Sequence, residues 1–234
     1  MKLIDVKDRP SWQYIQGHPE TRIKKTAKVW ENAHVCGKAW VDDNAQVYGK
    51  AQISGDAQVY DCAKISGNAW VSRNARVCDY AQVHGNATIR GNAHVGGKAH
   101  VSENAKISED AQVFSNARIL GNATIRGSAW VGGNAHISGN AVVSGNAWVR
   151  GDGEILNTED YLVIESPYTR PITLHRDKKI GIRINYLGFS GTLGKYIFEH
   201  RKRANQYFHQ GIMTKYYNIL KNRMTPLEEE KKGS

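Results

Sequence analysis

No stretch of this 234-residue chain approaches the roughly 18 consecutive apolar residues that a membrane-spanning helix needs. Its start, M-K-L-I-D-V-K-D-R-P, has no apolar core of the kind a secretory signal carries. Cysteine is scarce: Cys36, Cys62 and Cys78 are odd in number and form no C-x-x-C pair, which argues against a disulfide framework and against a zinc knuckle. These absences predict a reducing, cytoplasmic setting with no membrane contact, no metal and no cofactor. Charge is not lacking, but it is unbalanced. The formal net charge of +10 favours anionic partners such as a small anionic molecule or an acidic protein surface. The apolar content of 40% is enough for a folded core.

What is present in excess is repetition. An aliphatic residue recurs at every sixth position from Val29 to Ile155, giving 22 consecutive Val or Ile anchors, and Ala stands two residues before each anchor until Gly153. The unit reads N-A-x-V-x-G. Ala and Val, two apart, point to the same side of an extended strand, while the residues beside them point away. Gly-Asn pairs such as Gly121-Asn122 and Gly139-Asn140 mark corners, because both residue types tolerate positive φ. A helix is excluded, since a period of six does not stay on one face of a 3.6-residue turn.

This pattern, with an aliphatic residue followed four positions later by a small one as in Val35 to Ala39 and Ile137 to Ala141, resembles the hexapeptide-repeat superfamily. The resemblance covers residues 23–155 and implies a left-handed parallel β-helix of about seven triangular coils, each of three units. At about 4.8 Å per layer the prism is on the order of 33 Å long. The expected organisation is mainly β: an N-terminal cap over 1–22, the β-helix over 23–155, a small α+β domain over 156–226 and a frayed end over 227–234.

A core filled by Val, Ile and Ala at every layer leaves no interior pocket, so function is expected on the outside. Residues 18 apart stack, which sorts the outward positions into three faces. One is aromatic: Trp40, Gln58, Arg76, His94, Gln112, Trp130 and Trp148, flanked by Tyr60, Cys78, Phe114 and Arg150. A second carries Lys28, Lys64, Gln82, His100, Arg118 and His136, and the third is bland. Five of the six tryptophans are outward, which has no benefit for an isolated monomer. Trp40, Phe114, Trp130 and Trp148 are therefore expected at an interface, and the superfamily resemblance favours a homotrimer.

Many proteins of that superfamily are CoA-dependent acyltransferases with a histidine general base between subunits. His84 and His100, on one face in neighbouring coils, are the alternative catalytic pair here. The H-x-x-x-x-H pair expected of the superfamily's zinc carbonic anhydrases is missing, and no loop interrupts the repeats from Ala27 to Ile155 to shape a substrate cleft.

After Ile155 the pattern changes. Residues 160–166, 172–175 and 180–184 read as short strands, with a turn over 176–179. Residues 193–203 and 205–223 read as helices with Tyr196, Phe198, Tyr207, Phe208, Ile212, Tyr216, Ile219 and Leu220 as core. G-F-S-G-T-L-G-K, 188–195, fails as a nucleotide phosphate loop: five residues separate its outer glycines where four are needed, and Tyr196 stands in place of Ser or Thr. A strand turning at glycine into a helix starting near Thr192 is expected instead. From Leu156 onward the chain holds 14 Lys and Arg against 8 Asp and Glu. Arg176, Lys178 and Lys179, with Arg201, Lys202 and Arg203, form the expected anion-binding clusters. The whole arrangement resembles hexapeptide-repeat proteins encoded by bacteriophages and prophages. The expected function is a non-catalytic, oligomeric β-solenoid that binds a nucleotide-like anion or a host protein. The alternatives are the acyltransferase and a structural or virion scaffold component.

Overall fold

The computed structural model describes residues 3–5, 12–15, 18–166, 169–186, 189–200 and 206–223. Its body is a parallel β-solenoid. Strands of two residues each pair in parallel with the strand 18 positions on, as in Trp40 with Gln58 and His100 with Arg118. Three sheets of ten, eight and seven strands form the faces, in the column order that the repeat predicts. On the aromatic face the parallel ladder begins at Arg22, which pairs with Trp40, and that sheet continues outward through the antiparallel strands Trp12–Ile15 and Leu3–Asp5. The second face ends at Ile155, paired with Ile137.

Packing follows directly from the two-residue alternation. From Ala39 to Val149 every inward Ala and every Val or Ile anchor is 0% exposed, as is Ile155. Each buried aliphatic side chain contributes roughly 1.5–3 kcal/mol of transfer free energy, and alanine keeps the three sheets close enough for the anchors to fill the axis.

The corners depart from the sequence reading in one respect. Positive φ falls on a single position of the unit, from Glu31 through Gly151, and that position precedes the Asn; eight of these residues are not glycine. Gly127 shows why glycine is favoured: a Cβ there would stand 2.8 Å from the backbone nitrogen of Gly145 in the next coil, at φ +68. The asparagines serve another purpose. Asn68, Asn86, Asn104, Asn122 and Asn140 form a ladder in which each Nδ2 donates to the next Oδ1 over 2.9 to 3.1 Å. At several non-glycine corners the side chain offsets its strained backbone. Glu103 accepts the N–H of Gly121 at 2.7 Å, Glu109 that of Gly127 at 2.8 Å, and Glu31 that of Gly49 at 2.7 Å.

The tail is a four-stranded antiparallel sheet, Tyr161–Ser166, Thr169–Asp177, Gly181–Tyr186 and Phe189–Gly191, followed by helices α1 (Leu193–His200) and α2 (Gln206–Arg223). The fourth strand, read from sequence as a glycine turn, pairs with the third through Tyr186 and Phe189. Thr192 starts α1, its Oγ1 accepting the N–H of Lys195 at 3.3 Å. Ile172, Leu174, Ile182, Ile184, Tyr186, Tyr196 and Leu220 form a second core. Tyr216 packs on it. Phe198, Tyr207, Phe208 and Ile212 have side chains outside the described residues.

Candidate functional site

Along the solenoid, N–H groups at and beside the strands donate to a carbonyl in the following coil, as in Trp130 to Ala147 at 2.8 Å. The last coil is therefore left with donors, and a buried donor without a partner costs about 1–3 kcal/mol. The tail supplies the acceptors. Thr173, His175 and Asp177 alternate along one side of their strand and accept the N–H groups of Trp148 (2.8 Å), Arg150 (3.3 Å) and Asp152 (3.2 Å). Thr158 and Tyr161 accept from Val142 and Ser144 on the third face, and Asp160 accepts from Leu156 and Asn157 beyond the second. Asn185 donates to the carbonyl of Trp148 at 2.8 Å. The sheet thus buries its polar side against the solenoid and its apolar side against the helices.

His175 is fully buried, and burial pulls its pKa down to about 4. Its Nδ1 bonds the carbonyl of Arg176 at 2.7 Å, which makes that nitrogen the protonated one and leaves Nε2 as the acceptor. Asp177 would be raised by its burial, but Arg183 and the N–H groups of Lys179 and Ile180 outweigh that and hold it below the ordinary value.

The same junction places the predicted basic turn. The strand runs to Asp177, so the turn starts at Lys178. Arg176 pairs with Asp160 at 3.0 Å, Lys178 with Glu154 at 2.8 Å and Lys179 with Asp152 at 2.9 Å. Each cation of this cluster bonds an acid of the last coil or its exit; Arg176 is largely buried there, while the Lys178 and Lys179 side chains stay exposed. Arg201, Lys202 and Arg203 lie outside the described residues.

The aromatic face is largely covered by its own column neighbours. Trp130 lies against Trp148, with ring centroids 6.1 Å apart, under the Arg150 guanidinium at 5.2 Å and over Gly132. Phe114 meets His94 edge-on at 4.7 Å. Phe114, Trp130 and Trp148 are half-buried within one chain, whereas Trp40 is 38% exposed. Trp30 and Trp70, two of the five tryptophans expected outward, are exposed, as is Tyr80, and Trp30 stacks on Tyr48 at 4.8 Å.

His84 and His100 do come together: their Nε2 atoms face one another and their rings are 4.7 Å apart. Burial, then the His84 and Arg118 charges, lower the pKa of His100. His100 is therefore neutral at pH 7 and available as an acceptor.

A groove of about 490 Å³ opens at the other end of the aromatic face, lined by Glu20, Arg22, Lys38, Trp40, Asp56 and Gln58. The Arg22 guanidinium sits 5.1 Å from the Trp40 ring centroid. Register builds this site, because Arg22, Trp40 and Gln58 occupy one column of the paired strands. Glu20, Lys38 and Asp56 share the same 18-residue spacing. Extending the columns of the repeat back into the N-terminal segment would have found the groove from sequence.

The rungs, corners and solid core define a β-solenoid repeat protein. Residues 117–133 and 135–151 match the family model described as the YdcK beta solenoid repeat. No curated protein matches the chain. Among the described residues no helix is long and apolar enough to cross a membrane.

Proposed function

We propose that this β-solenoid is a non-catalytic binding protein that takes a nucleotide-like anion in the groove around Trp40. The observation that supports this reading is the convergence of an exposed indole, a guanidinium stacked on it and Lys38 in one groove outside a core with no interior space. An indole offers a face on which a planar base stacks, worth about 1–3 kcal/mol per base. Arg22 and Lys38 supply charge and donors for phosphate oxygens. Glu20 and Asp56 accept from sugar hydroxyls or base amino groups and reject ligands bearing negative charge at those positions. The likeness to phage-encoded hexapeptide-repeat proteins supports placing the encounter in a host cytoplasm.

Native mass spectrometry of the purified chain with a panel of mononucleotides and dinucleotides, followed by calorimetry, tests this. Trp40→Ala and Lys38→Glu should each weaken binding at least about 10-fold, and binding should fall with added salt. Double replacement of His84 and His100 by Gln should leave it unchanged. Binding that survives Trp40→Ala sinks the proposal. Activity on acyl-CoA that disappears with the histidine pair would instead establish the acyltransferase. Light scattering on the same samples tests the expected trimer: a trimer in the wild type that is lost in Trp40→Ala alone assigns that ring to a self-interface.

A further inference from the structure

We infer that Cys78, His94, Asp79 and Asp61 form a binding site for a zinc-class divalent cation on the aromatic face. The register of three successive coils gathers Asp61, Cys78 and Asp79 into one group and sets His94 against the Cys78 sulfur. Cys78 Sγ lies 3.3 Å from His94 Nε2 and 3.7 Å from Asp79 Oδ2. The Cys78 sulfur and the carboxylates of Asp61 and Asp79 all fall within 4.8 Å of one another. At zinc bond lengths of about 2.3 Å to sulfur and about 2.0 Å to nitrogen or oxygen, tetrahedral angles set donor atoms roughly 3.5 Å apart. The two separations around the sulfur bracket that value.

The space between the donors is kept open by Gly96. A Cβ at that position would stand 2.8 Å from the Phe114 ring, 2.9 Å from Asp79 Oδ2 and 3.0 Å from Cys78 Sγ. Gly96 is buried and does not have positive φ, so its lack of a side chain answers to the Phe114 ring and the two donors rather than to a turn. The donors are also held in place. Asp79 accepts the N–H of Gly97 at 2.7 Å, Asp61 accepts the N–H of Asp79 at 3.1 Å, and Phe114 packs on His94. Such outer contacts orient ligands and limit the entropy lost on binding. Cys78 is buried while Asp79 is exposed, which leaves one open side for entry.

The donor set selects the metal. Thiolate and imidazole favour zinc over magnesium or calcium, and one or two carboxylates complete a four-coordinate shell. On binding, the metal–sulfur bond replaces the S–H bond and the thiol proton passes to solvent. The expectation from cysteine spacing that the chain holds no metal considered only local C-x-x-C pairs; here the solenoid provides the spacing, 16 and 18 residues apart.

The test uses the untagged full chain, stripped with chelator and titrated with zinc and with cobalt(II) as a spectroscopic probe. One equivalent should bind, and cobalt should give a thiolate-to-metal charge-transfer band with tetrahedral visible bands. Cys78→Ser should abolish that band and weaken zinc binding at least about 10-fold, and His94→Gln should weaken it similarly. Cys36→Ser, Cys62→Ser and the His84/His100 double Gln variant should bind normally. A charge-transfer band that persists in Cys78→Ser, or binding that follows His84 and His100, overturns the assignment. Should Cys78→Ser fail to fold, X-ray absorption of the zinc-loaded wild type decides: a sulfur scatterer supports the site, and a shell of nitrogen and oxygen alone removes it.

Discussion

The solenoid and the tail solve the same problem, an unsatisfied backbone edge, in opposite ways. In the solenoid each coil is satisfied by the coils on either side of it, so one rule applied at every layer suffices and no single side chain is indispensable to the ladder. In the tail each acceptor is individual: Thr173 serves Trp148, His175 serves Arg150, Asp177 serves Asp152. Repetition spreads tolerance over many positions, and termination concentrates dependence on a few. The corners make the contrast concrete, since Arg73, Glu103 and Ser115 all occupy a conformation that glycine takes elsewhere.

The comparison breaks most sharply in the core, the one part of the solenoid without tolerance. Val83→Asp buries a carboxylate among methyl groups at a site with 0% exposure, and an unpaired buried charge costs several kcal/mol. The expected outcome is loss of the cooperative melt in circular dichroism. Retention of a wild-type melt would mean the layer opens easily to water.

The tail is next. His175 has a folded pKa of about 4 against an ordinary 6.5, so the unfolded chain takes up a proton that the folded chain refuses. Its contribution to stability is complete above about pH 6.5 and is lost as the pH falls towards about 4, roughly 3 kcal/mol in all at about 1.4 kcal/mol per pH unit. Urea midpoints measured across that range should fall with acid. His175→Gln, which keeps an acceptor but does not titrate, should flatten the slope. An unchanged slope would assign the acid sensitivity to His94, His100 and His136, whose pKa values burial also lowers.

The smallest effects belong to the corners. Arg73→Gly relieves a φ of 61 and should stabilise by roughly 0.5 kcal/mol. Glu103→Gly relieves a similar strain but loses the bond to Gly121, so it should be nearly neutral. Equal shifts in thermal midpoint would show that the carboxylate bond contributes nothing.

Much of the solenoid was legible in sequence because its physics is periodic. An anchor at every sixth position fixes strand, corner and face together, and the columns predicted that His84 would meet His100. The tail was legible only as strands and helices. Ile172-Thr173-Leu174-His175 alternates as a half-buried strand does, but alternation does not say which side meets water. Here Thr173 and His175 are buried because they face backbone donors that sequence does not display. The basic turn was visible as charge, whereas its partners Asp152, Glu154 and Asp160 belong to another element. Cys78 and His94 were placed on one face but not as a pair, since their meeting depends on how far each side chain leans along the stack.

The threefold register carries a consequence for how such a chain can change length. Inserting one N-A-x-V-x-G unit preserves strand, corner and core but advances every later column to the next face, so a face-specific pair such as Trp130 and Trp148 is parted by an insertion between them. Inserting three units returns every column to its place and only lengthens the molecule. A duplication of a whole coil thus keeps a surface site, whereas duplication of a single unit keeps only the fold. The columns of Trp40 and Cys78, which need consecutive layers, survive only the first kind of step.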